Sequence, residues 1–112
     1  MATEHDLYFI SMAARMLDMH PQTLRKYERL GLIRPTRTIG SMRLYSSGEL
    51  ERLRLIKHLV DEAGVNLAGV QRLLEIAEVL QRIRPLVRPE ASRSDVRRLA
   101  QEIARLEEMV GL

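Results

Sequence analysis

Apolar residues recur with a helical period over most of the chain, and turn residues cut that period into short segments. Met1 to Asp6 is polar and reads as a loose tail. Beyond it, Ala13, Ala14, Met16 and Leu17 predict a first helix capped by Ser11, with Asp18-Met19 as a tight turn. His20-Pro21 opens a second helix, because proline lacks only an N–H that the first helical position leaves unpaired anyway. Gly31 closes it as a left-handed residue. Leu24, Tyr27 and Leu30, three apart, form the packing side of this helix. Two short helices so close together predict a helix-turn-helix.

The pattern then becomes β-prone. Thr36-Arg37-Thr38-Ile39 and Met42-Arg43-Leu44-Tyr45 flank Gly40-Ser41, which predicts a two-residue hairpin with a type II′ turn. A lone hairpin is marginal in water, so this one must lean on the helices or on a partner. Ser46 to Glu49 fits a capping box, ahead of a third helix with Leu50, Leu53, Ile56, Leu59 and Val60 on one side, ending near Glu62-Ala63-Gly64. Asn66 caps a fourth helix through Leu67, Val70, Leu73, Leu74 and Ala77 as far as Ile83, with Gly69 marking close packing. Pro85 and Pro89 break helix and make Arg84 to Ala91 a connector. Ser92 or Ser94 then caps a last helix whose apolar residues Val96, Leu99, Ile103, Leu106 and Val110 step by 3, 4, 3 and 4, the a/d seam of a coiled coil. A helix this short is marginal alone, so the seam is buried against its own domain or a second copy. The narrowness of the stripe favours a second copy, hence a homodimer.

These elements predict a mainly α fold: a winged helix-turn-helix with a small β-hairpin wing and a C-terminal dimerisation helix. The expected divisions are a tail over 1–7, a winged-helix domain over 8–83, a connector over 84–91, and a coiled-coil helix and tail over 92–112. A length of 112 residues suits one compact domain with an appended element. The absence of cysteine excludes disulfides, thiolate metal sites and a catalytic thiol. No apolar run approaches the ~20 residues of a membrane span, and the first eight residues are too polar for a signal peptide, so a cytoplasmic protein is expected. His5, His20 and His58 share no ligand spacing, and neither a phosphate-cradling glycine loop nor a nucleophile constellation is present. An enzyme is therefore the weakest reading, and no metal or cofactor is expected.

Charge changes the picture more. The net charge of +3 is unevenly spread: His20 to Tyr45 holds six basic residues (Arg25, Lys26, Arg29, Arg34, Arg37, Arg43) and one acid, Glu28, while the remainder carries 12 basic against 14 acidic residues. Such a segment is either a solvated basic face or a surface for an anionic partner. On the second helix, Gln22, Lys26 and Arg29 lie at i, i+4 and i+7, away from the packing side, with Arg25 beside them. Gln and Arg make bidentate contacts to base edges, and Lys binds phosphate as a point charge. The hairpin adds Arg37, Arg43 and Tyr45, whose hydroxyl can reach a phosphate. A basic hairpin directly after a helix-turn-helix is the wing of a winged-helix domain, and the pair points to double-stranded DNA.

The stretch from Tyr8 to Glu75 resembles the MerR family of winged-helix transcription regulators. Phe9-Ile10-Ser11-Met12-Ala13-Ala14 is similar to that family's opening helix. Thr23-Leu24-Arg25-Lys26-Tyr27-Glu28-Arg29-Leu30-Gly31-Leu32-Ile33 is similar to its recognition-helix signature, and Arg43-Leu44-Tyr45 to its wing. The resemblance implies contacts to bases and phosphates from Gln22, Thr23, Arg25, Lys26 and Tyr27, wing contacts from Arg37, Arg43 and Tyr45, and a phosphate contact from Ser11. Lys26 stands where the family often has a second aromatic. His20 either caps its helix or touches DNA. The strings His20-Pro21-Gln22-Thr23-Leu24-Arg25 and Gly64-Val65-Asn66-Leu67-Ala68-Gly69-Val70 are similar to the heat-shock-repressor branch. That branch implies a dimeric repressor of chaperone operons that binds an inverted repeat with the chaperone DnaK as co-repressor. The metal- and redox-sensing cysteines of other branches are absent. Only about 50 residues follow Glu62, too few for the large ligand domain of the drug-sensing members, so no small-molecule ligand is expected. Two further readings are an architectural, excisionase-type DNA binder and a protein-interaction adaptor whose basic face is incidental.

Overall fold

The computed structural model describes residues 6–37 and 40–112, which divide into two compact units at residues 66 and 67. The first unit contains β1 (Leu7–Phe9), α1 (Ile10–Leu17), α2 (Pro21–Arg29), β2 (Thr36–Arg37), β3 (Arg43–Ser46) and α3 (Ser47–Lys57), followed by a π-helical turn over His58–Glu62. The second contains α4 (Leu67–Ile83), a 3₁₀ turn over Arg84–Leu86 and α5 (Arg93–Val110). The division places α4 with α5 rather than with the residues that precede it.

In the first unit, β3 is the middle strand of an antiparallel sheet of order β1-β3-β2. β1 was not foreseen: Leu7, Tyr8 and Phe9 pair with Ser46, Tyr45 and Leu44, so Leu7 belongs to the sheet and not to a tail. Three residues are too few to show a period of two in sequence. The strand also displaces the expected start of α1. Phe9 is the N-cap, with no side-chain cap bond, and Ser11 lies exposed inside the first turn rather than capping it.

The wing departs from the expected turn as well. Thr36 pairs with Leu44 and Arg37 with Arg43, which leaves five residues between the last paired positions. A two-residue turn at Gly40-Ser41 would have placed Arg37 opposite Leu44. The positive φ, 63°, falls on Ser41, where a longer loop needs a left-handed residue. Thr38 and Ile39 lie outside the described residues.

The core of this unit gathers Ala13, Ala14 and Leu17 of α1, Leu24 and Tyr27 of α2, Leu32 and Ile33 of the following segment, Tyr45 of β3, and Leu50, Leu53 and Ile56 of α3, all buried. Leu30, expected on the packing side, is 48% exposed, because the chain turns at Gly31 (φ 77°) and delivers Leu32 and Ile33 inward instead. The turn is a Schellman closure: Leu32 N–H donates to Tyr27 O and Gly31 N–H to Glu28 O, each at 3.0 Å. The capping box of α3 forms as expected, with Glu49 N–H donating to Ser46 Oγ at 3.2 Å and Ser46 N–H to Glu49 Oε1 at 3.2 Å.

The second unit is a helical hairpin. Ser92, not Ser94, caps α5, in a box completed by Asp95. Arg82 of α4 grips Glu102 of α5 through two bonds, Nε to Oε1 at 3.0 Å and Nη2 to Oε2 at 3.1 Å. Arg88 donates to Asp95 Oδ2 at 2.6 Å. The expected connector is partly helical, with Pro85 inside the 3₁₀ turn and Leu86 buried. The a/d residues of α5 separate by environment. Leu99 and Leu106 are half-buried in the hairpin, whereas Val96, Ile103 and Val110 are 56%, 45% and 58% exposed. Leu73 and Leu80 of α4, also seven apart, are exposed as well.

Candidate nucleic-acid interface

The geometry of α2 follows from its two ends. His20 Nδ1 accepts the Gln22 N–H at 3.0 Å. This makes His20 the N-cap, ties up one of the helix's first unpaired N–H groups, and seats Pro21 at the first helical position. With the ends set, burying Leu24 and Tyr27 turns Gln22, Lys26 and Arg29 outward, all three exposed, with Thr23 and Arg25 partly exposed alongside. Donors and acceptors for base edges and cations for phosphates thus share one helix face. Arg25 forms no ion pair among the described residues.

The α1–α2 turn is fixed from outside. Asp18 takes a left-handed conformation (φ 53°), and Lys57 of α3 donates Nζ to Leu17 O at 2.8 Å and to Asp18 O at 3.1 Å. Arg52 similarly donates Nε to Leu32 O at 2.6 Å, holding the segment after α2. In the sequence both residues count only as charges. Nothing in their spacing shows that they are committed to carbonyls 20 and 40 positions away.

At the wing, Glu28 of α2 receives Arg37 Nη2 on Oε1 at 2.5 Å and Arg43 Nε on Oε2 at 2.6 Å. Arg37 also donates Nη1 to Ser41 O at 3.1 Å. The two expected wing contacts are therefore joined to the recognition helix by the one acid of the basic segment. That isolation in the charge pattern was the available signal for Glu28.

Tyr45 is placed differently from the expectation. Its ring is fully buried in the core, and its hydroxyl is buried with no hydrogen-bond partner among the described residues. Burial, then the nearby Glu28 carboxylate, pushes its pKa up. The hydroxyl is not presented to a phosphate, because the middle strand of the sheet turns this side chain inward. Tyr27, 6% exposed, likewise serves as packing in this conformation.

Ser11, Arg25 and Arg43 meet at a cleft of about 390 Å³, lined also by Phe9, Ile10, Ser41 and Met42. The structure thus brings together the start of α1, the recognition helix and the wing. His58 is exposed and pairs with Glu62 at 2.6 Å, as a satisfied surface histidine. Among the described residues no cluster of His, Asp or Glu could hold a metal, and no helix is long and apolar enough to cross a membrane.

Comparison with known proteins agrees with this geometry. The family model described as MerR HTH family regulatory protein matches residues 8–76, more than half of the chain. A Streptomyces coelicolor protein that carries the name heat shock protein HspR is 49% identical over 70 residues, which cover 62% of this chain and 46% of that protein. The HTH-type transcriptional regulator MlrA of Escherichia coli K12 is 41% identical over 69 residues, 61% of this chain and 28% of the regulator. The chain thus spans less than half the length of either relative. Its fold is similar to the crystal structure of HiNmlR, a MerR family regulator lacking the sensor domain, bound to promoter DNA. There the TM-score is 0.61 at 21% identity, covering 96% of this chain and 80% of the other. The capped helix with its outward polar face, the wing joined to it and the match over residues 8–76 lead to one conclusion: this chain belongs to the MerR family of helix-turn-helix regulatory proteins.

Proposed function

We propose that this chain is a sequence-specific repressor of heat-shock or chaperone genes that binds an inverted-repeat operator as a homodimer, with DnaK as co-repressor. The observation that carries DNA binding is the exposed row Gln22, Lys26 and Arg29 on α2, with Arg25 beside it and a basic wing attached through Glu28. In this reading α2 lies in the major groove. Gln22, Thr23 and Arg25 face base edges, Lys26 and Ser11 face phosphates, and Arg37 and Arg43 flank the duplex from the wing. Arg43 bonds Glu28 through Nε, so its two Nη amines take no part in that bond. Tyr27 and Tyr45 support the reading head from within the core.

The dimer is supported by the apolar residues left exposed on the second unit, Val96, Ile103 and Val110 on α5 with Leu73 and Leu80 on α4. A twofold pair requires a near-palindromic site with half-sites one or more helical turns apart. The identity to the HspR relative supports the choice of chaperone genes. DnaK coupling is mass action: a partner that prefers the DNA-bound form raises apparent operator affinity, and its withdrawal onto unfolded protein lowers it. A second reading, a family regulator answering another signal, is favoured by the 41% identity to MlrA over the same stretch.

Selection of bound sites from random duplex DNA, with and without purified DnaK, tests both parts. Enrichment of an inverted repeat, bound more tightly with DnaK, is the expected result. A palindrome bound equally well without DnaK leaves the second reading. No enrichment removes sequence-specific binding altogether.

A further inference from the structure

Arg37 and Arg43 are direct cross-strand partners in the β2–β3 ladder. Two like charges placed opposite one another in a sheet repel, and here Glu28 resolves the conflict from outside the sheet by giving each arginine one carboxylate oxygen. The Glu28 side chain is only 17% exposed, against 41% for Arg37 and 25% for Arg43. The chain of bonds continues into the wing loop, since Arg37 also donates to the carbonyl of Ser41, the residue with positive φ. One acid on the recognition helix therefore fixes the Arg37–Arg43 pair of the wing ladder relative to the face that carries Gln22, Lys26 and Arg29.

The arrangement has an electrostatic consequence too. Two guanidinium groups sharing one carboxylate present a single net positive charge. Affinity for arbitrary duplex rises with each cation delivered to a phosphate, whereas discrimination between sites depends on how firmly the base-reading groups are placed. From this geometry, and resting on the DNA-binding reading above, we infer that Glu28 is a positioning residue that sets specificity. It holds the wing arginines against the recognition helix, which limits binding to random DNA and raises the preference for the protein's own site.

The test compares full-length wild type and Glu28→Gln on a selected site and on a random duplex of equal length across a salt series. Glu28→Gln should bind the random duplex more tightly, with the slope of log affinity against log salt steeper by about 1. Its ratio of selected-site to random affinity should fall about tenfold. A second comparison holds even if Glu28→Gln does not fold. Glu28→Asp keeps the charge of the shared carboxylate but draws it back by one methylene from the two arginines, so its random-duplex slope should match that of wild type while its selected-site to random ratio falls severalfold. An unchanged ratio in folded Glu28→Asp would overturn the inference, as would an unchanged slope and ratio in folded Glu28→Gln. Wild-type protein that binds neither duplex would remove the DNA-binding reading, and this inference with it.

Discussion

Tyr45 shows how a residue type suited to one task can be assigned another by its strand position. Its hydroxyl chemistry suits a phosphate, yet pairing with Tyr8 in the middle of the sheet buries it, and the hydroxyl finds no partner among the described residues. A buried hydroxyl without a hydrogen bond is a cost, so removing it is neutral or favourable. Tyr45→Phe should therefore leave stability in urea unchanged or raise it by up to about 1 kcal/mol, with duplex affinity held within about twofold, a change of under half a kcal/mol. A tenfold loss of affinity in a folded Tyr45→Phe protein would show that the ring leaves the core on binding. The charged residues divide in the same way. Arg52 and Lys57 hold backbone carbonyls, and of the six cations of the basic segment Arg37 and Arg43 are already paired with Glu28.

The helices were legible in the sequence where local chemistry decides them. His20-Pro21 and Ser46 with Glu49 mark helix starts because capping partners sit within three residues of one another, whereas the sequence leaves Ser92 and Ser94 both open for α5 and the structure selects Ser92, boxed with Asp95. Gly31 marks an end because the backbone there needs a positive φ. β1 and the wing register were not legible, since both depend on pairing between distant segments that two or three residues cannot announce. The α4–α5 hairpin carries a prediction of its own at this scale. Hydrogen bonding from Arg88 lowers the pKa of Asp95, and hydrogen bonding from Arg82 lowers that of Glu102. A carboxyl with a lower pKa in the folded state takes up its proton later than in the unfolded chain. Its stabilisation is therefore complete above the ordinary carboxylate range and is lost as pH falls through the folded value. Amide protection in α5 should stay level at neutral pH and decline between about pH 5 and pH 3, spanning the ordinary range near 4. Glu102→Gln should flatten part of that decline. Protection that is the same across this window would refute the role of the two ion pairs.

At the scale of the whole molecule, the 3-4 stepping of the last helix was visible in sequence, but its division between two tasks was not. Period alone cannot tell which apolar side chains a neighbouring helix of the same chain will cover. Leu99 and Leu106 go to the hairpin, while Val96, Ile103 and Val110 remain outside. Leu99→Ala should thus destabilise the folded chain, by about 1–2 kcal/mol for a half-buried leucine. Ile103→Glu should instead leave the fold intact and convert a dimer to a monomer in sedimentation equilibrium. A monomeric wild type, or an Ile103→Glu protein that unfolds, would contradict this division. The central claim is that two copies read one inverted repeat through paired α2 faces. It is tested most directly by titrating the selected duplex, and a duplex keeping only one half-site, with the full chain while following stoichiometry and affinity at moderate salt. The account predicts two chains on the intact site and a loss of at least about 1,000-fold, near the low end of the range separating specific from non-specific binding, when one half-site is scrambled. Equal affinity for the two duplexes, or one chain on each, would contradict it.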